Sequence, residues 1–416
     1  MKVLSLFDGM ACGMIAMNLA GVDVESYDAY EIDKYAVKTA QHNFPMIRER
    51  GDVFAADFTQ YEGVDFMVGG SPCTYWSIAQ TKNRETVASG IGWELFSQYV
   101  RALHEAKPKY FIYENNKSMS KEIRASIDKE FGFEAVCINS ALVSAQNRQR
   151  LYWVGKRNND GTYSKVNVKQ PDDRGILLRD ILETGTPWQD KAYNLTTRCN
   201  GAIPSDTLKR HRHTMVAEPV CVAERGRFRI GTIENDAKNH KFDSQQYRVY
   251  SPDGKGVTLC GNGGGLGAKT GLYAVPYDCD VVITENSIRC QRRDKKHSTV
   301  QGSHVNFTDG KTQTLSPSHI PNVIEHKSDK KYPVYEVRNG LITIKGKQYP
   351  IKLQDGCYII RKLTVRECMR LQTVPETYEF PVSNSQAYKM LGNGWTCEVI
   401  AHLIRSALND SGESNG

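Results

Sequence analysis

The reactive side chains of this sequence fall in three short runs. Gly69-Gly70-Ser71-Pro72-Cys73-Thr74-Tyr75-Trp76-Ser77 places a thiol on a turn just after a β-rich stretch. A thiol is the best side-chain nucleophile once deprotonated, and at a pKa of about 8.5 a few per cent of it is ionised at neutral pH. Glu114-Asn115-Asn116 ends the next β-rich stretch. Gln146-Asn147-Arg148-Gln149-Arg150 then leads into Leu151-Tyr-Trp-Val, and strand alternation puts Gln146, Arg148 and Arg150 on one side. The chain has 11 cysteines without C-x-x-C pairs, which argues against zinc and against a disulfide framework. The ten other than Cys73 read as small buried hydrophobes.

A second group of residues suits a nucleotide-like ligand. Phe7-Asp8-Gly9-Met10-Ala11-Cys12-Gly13 follows the first β-rich run and opens a helix. Glycines there let the backbone approach a ligand closely, and the helix N-terminus favours negative charge. Glu31, followed by Ile32, ends the second run, where a carboxylate can grip ribose hydroxyls. Gly51-Asp52-Val53 adds an acid able to accept from an adenine amino group. Each acid alone reads as a solvated strand end. In this order, the three point to an adenosine-containing cofactor.

These groups need a scaffold that brings strand ends together. Val3–Phe7, Ser26–Glu31, Phe66–Gly69, Tyr110–Tyr113, Glu134–Leu142 and Leu151–Val154 read as strands. Helical patterns lie between them, as at Leu95, Phe96, Tyr99, Val100 and Leu103, which share one face. Such alternation predicts an α/β fold: a mostly parallel, Rossmann-like doubly wound sheet, with ligands at the carboxyl ends of its strands. From Lys156 to about Tyr358 the chain is rich in Gly, Asn, Asp, Thr, Lys and Arg. Related runs at Tyr193, Tyr250 and Phe307 set a turn beside a Thr-Leu or Leu-Thr pair. This stretch reads as a second, smaller, mostly β domain with glycine-rich loops, against the alternative of a loose insertion. Helical pattern returns at Thr364–Leu371 and Thr396–Leu408. The expected division is 1–160, 161–360 and 361–416. With 416 residues, 24% charged residues and 40% hydrophobic ones, the sequence excludes a disordered or fibrous chain. No apolar run approaches the roughly 20 residues of a membrane helix. The net charge of +7 permits a polyanionic partner without establishing one.

Taken together, Phe-Asp-Gly, Glu31, Asp52, Gly-Ser-Pro-Cys-x-x-x-Ser, Glu-Asn and Gln-x-Arg-x-Arg resemble the DNA cytosine-5 methyltransferases. Arg361-Lys-Leu-Thr-x-Arg366-Glu367-x-x-Arg370-Leu371-Gln372 and Tyr388-Lys-x-Leu-Gly392-Asn393-Gly394-Trp395 extend the resemblance to nearly the whole chain. Three departures stand out: Ala11-Cys12-Gly13 in the first loop, Asn116 after Glu-Asn, and Gly394-Trp395. The first looks closer to the vertebrate de novo enzymes. None removes a reacting group.

The resemblance implies that Cys73 adds to C6 of cytosine and that Glu114, at least partly protonated, meets N3. It implies that Arg150 holds the base carbonyl and orients Glu114, with Arg148 beside it. S-adenosylmethionine would be held by Phe7, Asp8, Gly9, Gly13, Glu31, Ile32, Asp52, Val53, Pro72, Asn393, Gly394 and Trp395. The target base must leave the duplex to be reached, and 72–93 would close over it. Ser77 and Gln146 would face DNA. Gln245, Arg248, Thr258, Gly264 and Gly265 look like the recognition segment of the bacterial GCGC-specific enzyme, although 276–358 is an additional stretch. Similar runs near Tyr193 and Phe307 leave open that these residues only shape a β-turn. The implied partner is double-stranded DNA, with no membrane and no metal, for a monomer in the cytoplasm. An RNA-directed relative of the same fold and a catalytically silent scaffold are the rivals. The large middle domain and Ser77 speak against the first, and Cys73 with Glu114 against the second.

Overall fold

Five short strands, one of them only the pair Arg48–Glu49, run parallel in the computed structural model, and the reactive motifs lie at or just past their carboxyl ends. The structure describes residues 1–78, 84–220 and 333–410. Between 221 and 332 it describes the strand segments 229–232, 248–250, 272–273, 281–284, 287–293, 300–308 and 311–312. The chain divides into two compact units, Met1–Val216 with Arg361–Gly416, and Ala217–Ile360. Residues 161–216, grouped with the middle domain in the expected division, cluster with the first unit.

In the first unit the order is β1 (Lys2–Leu6), α1 (Cys12–Leu19), β2 (Ser26–Tyr30), α2 (Lys34–Asn43), β3 (Arg48–Glu49), β4 (Phe66–Gly69), α3 (Gly90–Ala106), β5 (Tyr110–Asn116), α4 (Lys121–Phe131), β6 (Val136–Asn139), β7 (Gln149–Arg157) and β8 (Tyr163–Lys165). Short helices α5 (Leu178–Ile181) and α6 (Pro204–Arg210) follow, then α7 (Val365–Leu371), α8 (Asn384–Asn393) and α9 (Cys397–Asn409). The sheet runs β3-β2-β1-β4-β5-β7-β6, with β8 on β7. β1 to β5 are parallel, whereas β7 is antiparallel to β5 and β6. The expectation of a mostly parallel sheet thus becomes a mixed one. Only residues 140–148 join β6 to β7, too few for the dozen or more a parallel crossover needs.

Apolar burial on both faces locks these elements. Val3, Tyr27, Phe66, Val68 and Ile112 pack with Met14 and Met17 of α1 and Val399, Ile400, Leu403 and Ile404 of α9. On the other face, Leu4, Leu6, Met67 and Phe111 pack with Phe96, Tyr99 and Leu103 of α3 and Ile123 and Ile127 of α4. Capping sets the ends of these helices. Ser120 Oγ accepts from the Ile123 N–H at 3.1 Å, and Gly132 closes α4 in the left-handed region. Thr364 and Glu367 form a capping box on α7, and Arg361 grips the buried Glu367 with both Nη atoms, at 2.8 and 2.9 Å. The Arg-Lys-Leu-Thr-x-Arg-Glu run is therefore a folding device. Helix α8 was not anticipated, because its run Asn-Ser-Gln-Ala-Tyr-Lys carries little apolar periodicity.

In the second unit every described element is a strand. They form a three-stranded sheet, a four-stranded sheet and strands of a five-stranded one, the last including Val334–Arg338, Leu341–Ile344, Lys347–Pro350 and Gly356–Lys362. Among the described residues no helix is long and apolar enough to cross a membrane.

Candidate active site

Cys73 begins a single 3-10 turn, Cys73–Tyr75, immediately past the carboxyl end of β4. A buried polar network fixes the backbone before it. Ser71 Oγ and the Tyr113 hydroxyl are 2.6 Å apart, and Asn115 Nδ2 donates to Ser71 O at 3.2 Å and to the Tyr113 hydroxyl at 3.1 Å. Asn116 continues this network, donating to Asn115 Oδ1 and accepting from Ser118 Oγ at 2.7 Å. Its departure from the family pattern has a structural use here. The far side of the turn is tied by Glu85, which accepts from the Trp76 indole N–H at 3.0 Å and from the Gly92 N–H at 3.2 Å. Pro72 is exposed and Ser77 half-buried beside Cys73, to whose carbonyl its N–H donates at 3.0 Å. Burial pushes the Cys73 thiol up, while Arg150 pulls it down, Glu114 adds to the rise and Arg148 pulls down again.

Glu114 lies near the end of β5, next to β4 in the sheet. Arg150, paired across from Asn116 on β7, sets its Nε 3.0 Å from Glu114 Oε1. Both side chains are nearly buried, 12% and 11% exposed. The second carboxylate oxygen, Oε2, accepts from the Trp395 indole N–H at 3.0 Å. Arg150 Nη1 donates to Gln149 O at 3.0 Å, and among the described residues no acceptor takes its Nη2. A Cβ on Gly70 would lie 2.8 Å from Glu114 O and 3.0 Å from Oε2, so only glycine lets β4 and this carboxylate approach so closely.

Alternation does place Gln146, Arg148 and Arg150 inward, but their partners differ from expectation. Gln146, expected at DNA, is fully buried. Its Nε2 donates to Leu371 O at 3.2 Å, and its Oε1 accepts from the Leu195 N–H at 2.8 Å. A buried amide with its hydrogen bonds made inside the protein is no DNA contact. Arg148, expected at the base, sends Nη1 to Asn194 Oδ1 (2.9 Å) and Leu195 O (3.0 Å), and Nη2 to Gly392 O (3.3 Å) and Gly394 O (2.7 Å). Burial pulls it down to about 10. The geometry makes Arg148 a brace between β7, the 194–195 segment and the turn before α9.

The loop after β1 takes left-handed backbone at Phe7, Gly9 and Ala11, with φ of 58°, 61° and 61°. Gly13 starts the packing of α1 on the sheet: a Cβ there would lie 2.5 Å from the Tyr27 hydroxyl. Glu31 is held by three backbone N–H groups, Gly9 on Oε2 at 2.9 Å and Ile32 and Asp33 on Oε1 at 2.8 Å each. Asp52 caps the turn it precedes, accepting from the Phe54 N–H at 3.0 Å. Val53 is buried, whereas Ile32 (76% exposed) and Phe54 (52%) present apolar surface beside these acids. Asn393 is exposed at the end of α8, Gly394 is half-buried, and the Trp395 indole is turned to Glu114.

Asp8 is buried; Oδ1 accepts from Ser5 Oγ at 2.5 Å and Tyr27 OH at 2.6 Å, while Oδ2 has no partner among the described residues. Both oxygens of Glu49, which carried no sequence signal, are also unpartnered. Carboxylates without a local base fit a ligand bearing hydroxyls and a positive charge, as S-adenosylmethionine does. Burial pushes Asp8 up to about 6 against its Ser5 and Tyr27 bonds, and pushes Glu49 up to about 8 with Asp8 and Glu31 adding. Stability from their neutral forms is full below their usual values of 3.8 and 4.5. It is lost as pH rises through about 6 and about 8. Glu49→Gln should therefore melt higher than wild type at pH 8.5, with the gain vanishing near pH 4. Equal gains at both pH values in thermal melts would contradict this origin.

Of the expected DNA contacts in the middle domain, Gln245, Thr258, Gly264 and Gly265 lie outside the described residues. Arg248 begins the strand Arg248–Tyr250, which pairs with 229–232 and 272–273. Among the described residues no group of three or more potential metal ligands occurs.

A family model described as C-5 cytosine-specific DNA methylase matches residues 1–409. An orphan methyltransferase of Bacillus phage rho11s is 27% identical, over 98% of each chain. One of Bacillus phage SPR is 26% identical, also over 98% of each. Among solved structures, a methyltransferase of Entamoeba histolytica matches with a TM-score of 0.48 and 12% identity, covering 99% of this chain and 98% of that one.

Proposed function

The chain belongs to the C-5 cytosine-specific DNA methylase family, and from that premise we propose that it methylates a cytosine swung out of duplex DNA, using S-adenosylmethionine and a covalent Cys73–C6 bond. The observation that carries this is the Glu114 carboxylate, held between Arg150 Nε and Trp395 Nε1 on the strand next to the Cys73 turn. Cytosine C5 is too weak a nucleophile for methyl transfer. Addition of the Cys73 thiolate to C6 breaks the C5–C6 double bond and makes C5 an enamine carbon. The negative charge would collect at N3, where Glu114 supplies a proton, a contribution of about 10²–10⁴-fold. The unspent Arg150 Nη2 suits the base carbonyl oxygen. When bound, S-adenosylmethionine supplies the electrophilic methyl group that C5 takes. Solvent then removes the C5 proton, the Cys73–C6 bond breaks to regenerate the thiolate, and N3 returns its proton to Glu114.

Glu31 suits the ribose hydroxyls of that cofactor, Asp52 the adenine amino group, and the loop of Phe7, Asp8, Gly9 and Gly13 its methionine end. Ile32, Val53, Pro72, Asn393 and Gly394 complete the proposed cofactor residues. In the second unit, the resemblance to the GCGC-specific enzyme supports target recognition by 217–360, with Arg248 on a guanine near the methylated cytosine. The planar Arg fork reaches guanine O6 and N7 together, for about 1–3 kcal/mol of discrimination. Arg248→Ala should relax one guanine by roughly 5- to 100-fold. Equal losses on cognate and single-substitution sites would make it a phosphate contact.

Mapping 5-methylcytosine in the DNA of an expression host identifies the site, and DNA carrying 5-fluorocytosine there should form a covalent complex. Failure to trap that complex with the mapped sequence would overturn the covalent route. Binding to unrelated DNA should weaken by on the order of a hundredfold between 50 and 200 mM salt, as counterion release requires. A flat dependence would point to a different substrate.

A further inference from the structure

We infer that Trp395 is a positioning residue for the catalytic acid: its indole N–H holds Glu114 Oε2 so that the carboxyl is aimed before the base arrives. This rests on the general-acid reading of Glu114. The carboxylate has one fixed partner on each oxygen: an ion pair with Arg150 Nε 3.0 Å from Oε1, and a hydrogen bond from Trp395 Nε1 at 3.0 Å to Oε2. The ion pair pulls on one oxygen without setting the plane, and the directional indole hydrogen bond on the other fixes its rotation. Gly70 keeps this corner open, since a Cβ would stand 3.0 Å from Oε2 and 3.5 Å from the indole nitrogen.

The indole is itself fixed from both neighbours along the chain. Gly394 O receives Arg148 Nη2 at 2.7 Å and Gln372 Nε2 at 3.0 Å. On the other side, Thr396 Oγ1 donates to Gln372 Oε1 at 2.9 Å and lies 2.8 Å from Ser140 Oγ. Gln372 thus bonds the residue before Trp395 and the residue after it. The same amide links to Gln146 at 3.3 Å, so one buried network positions the Arg148–Arg150 strand and the indole together. A tryptophan retained only to fill space would need none of these bonds. Trp395 also packs, partly buried, against two apolar clusters, where phenylalanine can replace the ring without the N–H.

The test is a double-mutant cycle on the rate of covalent trapping by 5-fluorocytosine DNA, with Trp395→Phe and Glu114→Ala. In the Glu114 background, Trp395→Phe should slow trapping by about 10- to 100-fold, the loss of one hydrogen bond to a charged group. In the Glu114→Ala background it should cost less than about threefold. S-adenosylmethionine affinity, read by calorimetry, should stay within about threefold in Trp395→Phe. Equal losses in both backgrounds, or a cofactor affinity that falls with the rate, overturns the role of Trp395 alone. A Glu114→Ala protein that traps at the wild-type rate overturns the general-acid reading as well. A readout independent of the Phe variant is the indole N–H spectrum of wild type against Glu114→Gln: one tryptophan signal should shift, and an unchanged spectrum refutes the contact.

Discussion

Cys73→Ser should lose methylation by at least roughly 10⁴-fold while binding DNA and S-adenosylmethionine within about tenfold of wild type. A serine hydroxyl is far less ionised than a thiol at neutral pH, so the bond to C6 does not form. The surroundings sharpen this expectation. Burial holds the Cys73 thiol up, and Arg150 and Arg148 offset only part of that rise. Thiolate is therefore scarce at neutral pH, and trapping of 5-fluorocytosine DNA should quicken as pH rises from 6 to 9 in wild type. A serine variant that still forms a complex stable to denaturant, or a trapping rate falling over that range, would remove Cys73 from the proposed role.

The second large effect is on stability. Arg148→Ala strips hydrogen bonds from Asn194 Oδ1 and from the carbonyls of Leu195, Gly392 and Gly394. Gly394 O keeps its bond from Gln372, so three acceptors lose the Arg148 donor. A buried acceptor left unsatisfied costs about 1–3 kcal/mol, so the loss should reach about 3 kcal/mol or more. That corresponds to a melting temperature lower by roughly 6–12 °C. Arg148→Lys, with a point charge in place of a planar fork, should recover only part of it. An Arg148→Ala protein that melts like wild type yet fails to turn over would return Arg148 to the base pocket.

Much of this was legible because strand ends announce themselves. The runs ending at Phe7, Glu31, Gly69 and Tyr113 are short and β-rich, and Asp8, Glu31, Gly70 and Glu114 mark their ends, so their order and their ligand-facing ends could be read directly. Alternation also gave the side of Gln146, Arg148 and Arg150, but a side is not a partner. Gln146 and Arg148 are consumed by Leu195, Leu371, Gly392 and Gly394, some 50 to 250 positions downstream, and no local pattern encodes such distant acceptors. The same limit hid Trp395, whose sequence signal was a departure from a family pattern and whose partner is Glu114. Glu49 was invisible for another reason: a carboxylate flanked by Arg48 and Arg50 reads as paired, whereas both arginines lie on Asp28.

The first unit is closed by its own far end, and this orders events during synthesis. Glu114 and Trp395 are 281 residues apart. At about 5–20 residues per second, a ribosome needs roughly fifteen to sixty seconds to supply the second after the first. Throughout that interval the nascent chain carries its thiol and its acid, but neither α9 nor the indole. A premature stop upstream of Trp395 should therefore yield a fragment in which Glu114 lacks one of its two partners.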